Sequence, residues 1–367
     1  MPMSEPAPIA PAPASAPGPS GPKQARRLSA HLRRWVTLRD QPSRLGAALA
    51  GLACVLLVLL AWHVLTLGEP ESRILAPVTL PSLRETVDSF PKLWFDRQLA
   101  RSAVWSLGRV LGGFVLAIAI GVPLGVIAGS FKRVYAFLNP LSIFGRNIPI
   151  AALIVLMLIW FGIGEAQKVM FIFLAAVPFV FFNSANAVDS VPDTYLDTAY
   201  TLGARFTPLR GLRWAALMAV AYGVLLRLAH VAMEGFPPVA EAGGEVSTSW
   251  RSGLAKAVGI GLVAGFVLWF PIVSFQAIRK VLFALALPDI MNSLRLLFGL
   301  AFGYIVLAEA IDAQHGLGAI ILTSQRQGPR EHIYLVLIII AILAYGIDRG
   351  LLWAHGWLFP YRATGEK

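Results

Sequence analysis

Charged residues are scarce in this sequence, and their scarcity argues against an ordinary soluble protein. Asp, Glu, Lys and Arg make up 14% of the 367 residues, whereas hydrophobic residues make up 57%. An average soluble domain is about 25% charged. The apolar residues fall in runs near the roughly 17–25 residues that a helix needs to cross a bilayer. We therefore expect an all-α integral membrane protein.

Several kinds of chemical site are also missing. Cys54 is the single cysteine, so the chain cannot form an internal disulfide or a paired-thiolate metal site. The sequence has no Gly-x-x-x-x-Gly-Lys-Ser/Thr loop to bind nucleotide phosphates and no His-Glu-x-x-His zinc motif. We expect no catalytic residue, no metal and no cofactor bound by this chain. An intramembrane enzyme would show His, Asp, Glu or Ser clustered at one depth, and no such cluster is apparent.

The net charge of +11 is distributed as in a membrane protein rather than a nucleic-acid-binding protein. Residues 1–44 begin with a Pro- and Ala-rich segment, expected to be disordered, and continue with a basic stretch over residues 23–44. Because Lys and Arg concentrate in cytoplasmic loops, this stretch places the N-terminus in the cytoplasm. The expected partner of the apolar surface is the lipid bilayer, and no nucleic acid is expected.

Eight apolar runs predict about eight transmembrane helices. They cover residues 45–67, 103–129, 135–161, 168–188, 214–233, 254–275, 288–310 and 333–353. An external segment over residues 68–101 contains a short amphipathic helix at 83–93, and residues 361–367 form a cytoplasmic tail. Asn147 and Pro149 interrupt the third run. Such a break survives in a membrane only where protein or a water-filled cavity satisfies the freed backbone.

The fifth and sixth runs read as a hairpin that leaves the cytoplasm and returns to it. Basic residues flank the pair at both ends, and the loop between the runs is mostly acidic. The hairpin, residues 208–275, separates two parts of a core, residues 102–207 and 276–360. An inserted pair is even in number, so it leaves the orientation of every later span unchanged.

Short motifs along the chain resemble one family. They are Ser106-Leu107-Gly108-Arg109, Trp160-Phe161-Gly162-Ile163-Gly164-Glu165, Asp197-Thr198-Ala199 with Gly203-Ala204, Leu285-Ala286-Leu287-Pro288, Ala308-Glu309 and Gly316-Leu317-Gly318. In this order they resemble the inner-membrane permease of binding-protein-dependent ABC importers, of the nitrate, sulfonate and taurine type. The resemblance implies a six-helix permease core, here with a two-helix insert.

The resemblance also implies a cytoplasmic loop that docks the permease onto its ATPase. The matching residues are Asp197, Thr198, Ala199, Gly203, Ala204, Leu287 and Pro288. A small side chain such as Ala199 lets a helix approach a partner closely, and Gly203 can adopt the positive φ that ends a helix. Pro288 restricts the residue before it and sets the start of the next span.

Two features depart from the family pattern. Asp197 and Thr198 replace the usual Glu and Ala, and the insert separates the two halves of the loop. In one interpretation the hairpin packs peripherally and the coupling helix forms within residues 192–207. In the other, the split has impaired ATPase docking. We favour the first, because both halves keep their basic flanks.

Membership of this permease family would imply particular partners and a particular cellular location. ATPase subunits would carry ATP and Mg, a periplasmic or lipoprotein binding protein would deliver the solute, and two permease copies would form the pathway in the inner membrane. Candidate pathway or gate residues are Arg295, Glu309, Asn147 and Pro149. Arg109 is expected near a membrane interface in a structural role. The alternatives are an ATP-independent secondary carrier or channel, and a degenerate permease acting as a scaffold.

Overall fold

The computed structural model describes residues 43–69, 71, 73–234, 248–309, 311 and 315–363. Asp312 and the acidic loop that joins the fifth and sixth runs lie outside these residues, as do residues 1–42. The described residues are helical and include no β-strand. Their helices are α1 (Arg44–Leu65), α2 (Leu83–Asp88), α3 (Phe90–Phe95), α4 (Leu99–Ser130), α5 (Lys132–Asn147), α6 (Ile150–Phe161), α7 (Glu165–Asp189), α8 (Asp193–Thr201), α9 (Pro208–Glu234), α10 (Thr248–Ser274), α11 (Phe283–Ala308), α12 (Leu317–Gln327), α13 (Arg330–Leu358) and α14 (Pro360–Ala363).

The helices include seven that are long and apolar enough to cross a membrane, or eight if α5 and α6 together count as one span. The chain is thus an all-α, multi-pass membrane protein. It divides into two compact units, residues 1–64 and 65–367. The first contains nearly all of α1, a single apolar helix, and the second contains all the elements discussed below.

The third apolar run is not one continuous helix. Helices α5 and α6 meet at an angle of 103°. The bend lies at Ile148, which is extended (φ −65°, ψ 130°), and Pro149 caps the start of α6. A clash with the proline ring disfavours the helical region for the residue before proline, which favours a break at this point. The predicted single helix over 83–93 is likewise two, α2 and α3, divided at Ser89 with Pro91 in the first turn of α3.

Helices α4 and α7 form the centre of the second unit and run in the same direction. Glycines of α4 bring their backbones together: a Cβ on Gly125 would lie 2.6 Å from the carbonyl oxygen of Phe181, and one on Gly129 would lie 2.6 Å from that of Ala185. Helix α11 covers this pair with apolar side chains, among which Phe302 and Ile305 are fully buried. Close backbone approach of this kind requires residues without a side chain.

Helix α11 begins before the position that the sequence suggested. A π-helical turn over Ile278–Leu282 leads directly into it, and Pro288 lies inside the helix rather than at its start. Proline removes the amide that would pair with the carbonyl of Ala284. Ala284 is exposed, and the helix nevertheless continues through the proline. The expected start at residue 288 was therefore wrong.

Candidate functional site

Helix α8 is a short surface helix between α7 and α9. It follows Pro192, carries Asp193 in its first turn and ends at Thr201. Asp193 suits the positive end of the helix dipole. At the other end the Ala204 amide donates to the Ala199 carbonyl and the Gly203 amide donates to that of Tyr200, both at 2.9 Å. This is a Schellman turn, which needs its glycine in the left-handed region.

Gly203 adopts that conformation, with φ of 84°. The turn redirects the chain sharply and fixes the end of α8. Along the helix, Asp197 and Thr198 are exposed and Ala199 is buried. Leu202, in the turn, is 83% exposed, although it is a large apolar residue. The segment thus presents apolar surface outward while its small residue faces inward.

An open groove of about 480 Å³ lies between α8 and the beginning of α11. Thr198, Ala199 and Leu202 line one side of it, and Lys280 and Leu285 line the other. Two motif halves that are far apart in the sequence therefore meet in one groove. Leu287 and Pro288 lie further along α11, where Pro288 is buried, and neither lines the groove.

The backbone also joins the two halves where the α9–α10 pair begins and ends. Phe206 and Phe275 form an isolated antiparallel bridge. The Thr207 amide donates to the Ser274 carbonyl at 2.9 Å, and the Gln276 amide donates to the Arg205 carbonyl at 3.3 Å. The chain therefore returns to the point at which it left, and residues 205–207 lie against residues 274–276 as they would in a short continuous loop.

A buried charge network lies at the opposite end of the helices. The Arg109 guanidinium donates to Glu165 at 2.5 and 2.7 Å and to Glu309 at 2.6 Å. Lys168 donates to Glu165 at 3.1 Å. Arg109 and Lys168 are nearly inaccessible, and the two cations balance the two carboxylates. The network joins the N-terminal parts of α4 and α7 to the C-terminal end of α11.

Glu309 also organises the start of α12. Its second carboxylate oxygen accepts from the Gly318 amide at 2.8 Å, and Ser106 donates to its first oxygen at 2.7 Å. The Leu317 amide in turn donates to Ser106 at 2.9 Å. A carboxylate in this position satisfies free amides of a helix N-terminus and interacts favourably with its dipole. Glu309 is 1% exposed, so it lines no open pathway in this conformation.

A pocket of about 430 Å³ opens beside the network. Arg109, Glu165 and Lys168 form its floor, and Arg101 and Trp105 form part of its wall. The other pathway candidates lie elsewhere. Arg295 pairs with Asp348 at 3.4 Å, which connects α11 to α13, while Asn147 and Pro149 are exposed at the bend between α5 and α6.

Comparison with known proteins identifies part of this core. Residues 121–231 match the family model of the binding-protein-dependent transport system inner membrane component. These residues are similar to that family over the matched stretch. The match begins within α4 and continues through α7 and α8 into α9, so it includes the segment that ends at Gly203.

Two relatives extend the likeness along the chain. The chain is 25% identical to the taurine transport system permease protein TauC of Escherichia coli over 333 residues, which are 89% of this chain and 92% of TauC. It is 23% identical to the putative aliphatic sulfonates transport permease protein SsuC of Bacillus subtilis, over 90% of this chain and 94% of SsuC.

A shorter alignment with another relative has a higher sequence identity. The chain is 32% identical over 133 residues to the putative ABC transporter permease protein MJ0413 of Methanocaldococcus jannaschii. That alignment covers 35% of this chain and spans only half the length of MJ0413.

The sequence motifs contain most residues of the buried network, but they do not show that these residues contact one another. Ser106, Arg109, Glu165, Glu309 and Gly316 all lie in the short motifs that carried the resemblance. Spacing alone does not show that residues 200 positions apart in the sequence are in contact. One sequence feature could have predicted the network. One arginine and two glutamates lie at the predicted outer ends of three apolar runs, where unpaired charges would be costly to bury.

Proposed function

We propose that this chain is the membrane-spanning permease subunit of an ATP-driven ABC importer. One observation carries the proposal. Helix α8, fixed by its glycine turn, shares an apolar groove with the start of α11, so that both halves of the expected coupling loop face the same space. A partner that entered this groove would contact both halves at once.

In this proposal the ATPase subunits dock on α8 and the groove from the cytoplasm. Nucleotide binding would move the docked ATPases and carry α8 with them, shifting the membrane helices between two states of access. ATP and Mg belong to the partner ATPase. Two copies of the permease would form the pathway in the inner membrane, with both termini of each chain in the cytoplasm and the Arg109 network toward the outside.

The solute follows from the relatives by analogy. TauC and SsuC are named for taurine and aliphatic sulfonates. We infer a small, highly polar solute of this general kind, delivered by an external binding protein. The neutral balance of the buried network leaves Arg101 as an additional cation at the wall of the nearby pocket. That arrangement is compatible with a solute carrying an acidic group.

The test targets the exposed apolar side chain of the groove. Leu202→Arg should abolish co-purification of the ATPase encoded with this permease, because a charge would replace an apolar contact at the partner surface. Leu209→Arg is the matched control, since Leu209 is 81% exposed but lies outside the groove. Retained ATPase binding and unchanged ATP-driven transport in the Leu202 variant would refute the coupling role.

A secondary carrier remains the rival, and the same preparation distinguishes it. The permease proposal expects solute uptake into proteoliposomes only when the ATPase is present and ATP is available to it. Uptake by the permease alone, driven by an imposed proton or sodium gradient, would instead establish a carrier. Loss of ATPase binding by the unmodified chain would favour the scaffold alternative.

A further inference from the structure

The central helix α4 contains a proline that leaves one backbone carbonyl without its usual partner. Pro123 lies inside the helix and has no amide hydrogen, so the carbonyl of Ala119, four residues earlier, loses its helical hydrogen bond. Within a membrane no bulk water is available to replace it. A carbonyl left unpaired there is energetically costly, so it normally finds another donor.

The donor comes from the α9–α10 pair. The Tyr222 hydroxyl, on α9, donates to the Ala119 carbonyl oxygen. The indole Nε1 of Trp269, on α10, donates to the Tyr222 oxygen at 3.0 Å. Both helices of the pair therefore contribute to one chain of hydrogen bonds that ends on α4. Linked bonds of this kind polarise and strengthen one another.

Tyr222 is held in place by close packing within the pair. A Cβ on Gly261 would lie 2.6 Å from the Tyr222 carbonyl oxygen, and one on Gly265 would lie 2.8 Å from the Tyr222 Cβ. The tyrosine is 8% exposed. The backbones of α9 and α10 are thus in close contact at Tyr222, and its side chain is buried.

The pair is also anchored in the apolar core near its return point. Ile272 of α10 is 1% exposed and belongs to the main core cluster. Trp269 packs edge-to-face against Phe283, at the start of α11, with ring centres 6.0 Å apart. Aromatic pairs with this geometry stabilise a fold beyond the area that they bury. The pair thus contacts the core through a polar and an apolar anchor.

We propose that α9–α10 is an integral brace of the permease core, and that Tyr222 anchors it by replacing the hydrogen bond that Pro123 removes from α4. The interaction surface is the face of α4 at Ala119, and its partner is this chain's own helix pair. The sequence interpretation has this hairpin packing peripherally, and the brace adds a specific anchor to that arrangement. Because α9 begins next to the bridge that follows α8, the brace also connects α8 with the middle of α4.

The structural part of this inference does not depend on the proposed transport function. Only the consequence for coupling rests on it: if α8 receives a force from an ATPase, the brace would carry that force to the proline break in α4. The following experiment uses the whole chain described here in detergent, without ATPase or solute. Its failure would therefore leave the transport proposal untouched.

A double-mutant cycle tests the anchor, with Tyr222→Phe, Pro123→Ala and the double variant. Tyr222→Phe removes the hydroxyl and keeps the ring. Amide hydrogen exchange in α4 around residues 117–127 should accelerate about 3- to 10-fold, the range expected for one lost hydrogen bond. In the Pro123→Ala background the restored amide can pair with Ala119, so the same change should accelerate exchange less than about 2-fold.

Two further variants make the test specific. Trp269→Phe keeps the Tyr222 hydroxyl and should produce a smaller acceleration in the same amides. Tyr345→Phe is the control, because its hydroxyl lies on α13 and accepts from Arg349. It should leave exchange in α4 unchanged.

Equal acceleration by Tyr222→Phe in both backgrounds would overturn the proposal, as would no acceleration in α4 at all. If Pro123→Ala fails to fold, the comparison of Tyr222→Phe with Tyr345→Phe still decides. Faster exchange confined to α4 around the proline supports the anchor. Exchange that is unchanged there, or raised uniformly over the whole chain, rejects it.

Discussion

The guanidinium of Arg109 lies 2.6 Å from the carboxylate of Glu309, 200 positions later in the sequence. Both side chains are almost completely buried. The bond joins the beginning of α4 to the end of α11, and Glu165 holds the other edge of the same guanidinium. The four charges of the network cancel, so each of them depends on the other three.

The charge balance predicts a strong penalty for removing one member. Glu309→Gln preserves shape and one acceptor but leaves Arg109 and Lys168 facing a single carboxylate. Breaking a buried ion pair in this way typically costs about 3–5 kcal/mol. We expect a clearly lowered thermal unfolding midpoint in detergent, measured on the purified protein. Arg109→Met should have a similar effect, because two carboxylates would then face a single cation.

The double variant provides the control for that prediction. Arg109→Met with Glu309→Gln removes one charge of each sign and leaves Glu165 paired with Lys168. Its loss of stability should be smaller than the sum of the single losses by at least about 1 kcal/mol, as for residues in direct contact. Additive losses would show that the two side chains stabilise the fold independently.

The second prediction concerns Gly316, where any side chain would clash with Glu309. Its φ is 140°, and a Cβ there would lie 2.4 Å from the carboxyl carbon of Glu309. Gly316→Ala should therefore displace Glu309 and destabilise the protein by several kcal/mol, since strain and a lost buried bond combine. Gly299→Ala is the matched control in α11, where a Cβ meets nothing within 4 Å. It should leave the unfolding midpoint unchanged or slightly raised.

Much of this architecture was accessible from the sequence because apolar length is a local property. The long helices fall close to the predicted runs, and the positive φ of Gly203 follows from the glycine itself. The bend at Pro149 was foreseen as a weak point, but its size was not. The angle depends on the surroundings of α5, including Arg146 placed 3.7 Å over the Phe182 ring. Such tertiary contacts produce no periodic pattern in the sequence.

The two interactions that the sequence missed share one cause. Arg109 with Glu309, and Tyr222 with Ala119, join residues more than 100 positions apart. Composition and spacing identify a residue as costly to bury without naming the partner that makes burial acceptable. Pro123 was an informative position in this respect. A proline in a membrane span implies a donor elsewhere, and only the folded chain shows that Tyr222 provides it.

The Arg73–Glu85 pair, outside the membrane spans, predicts a pH dependence of local stability. Its hydrogen bond lowers the pKa of Glu85 to about 2. Because the folded pKa lies below the unfolded value of about 4.3, the pair stabilises the fold fully above pH 5 and progressively less as the pH falls toward 2. Glu85 also completes the capping box of α2 with Ser82.

The measurement is limited proteolysis or amide exchange of residues 82–95 between pH 7 and pH 3. The effect should be small, about 1 kcal/mol or less, because the Glu85 side chain is 40% exposed and water screens the pair. Glu85→Gln should remove most of the pH dependence of this segment while lowering its protection at neutral pH. A pH response that persists unchanged in this variant must come from another group.

The membrane topology gives the last prediction. If α9 and α10 cross the bilayer as a pair, single cysteines at their base and in their connecting loop should react from opposite sides. In a Cys54→Ser background, Thr207→Cys should label only from the cytoplasmic side. Ser247→Cys, which lies outside the described residues, should label only from the external side. Impermeant maleimide added to intact cells and to inverted vesicles makes the comparison.

Two reference positions calibrate that labelling. Leu202, beside α8, is 83% exposed, and Leu202→Cys should label like Thr207→Cys. Ile163, between α6 and α7, is 65% exposed, and Ile163→Cys should label like Ser247→Cys. The reason is geometric: residues 205–207 are bonded to residues 274–276, so both ends of the pair must lie at one membrane surface. If Thr207→Cys and Ser247→Cys label from the same side while the reference positions label from opposite sides, α9 and α10 do not span the membrane. The brace on α4 would then have to be an interfacial or re-entrant pair.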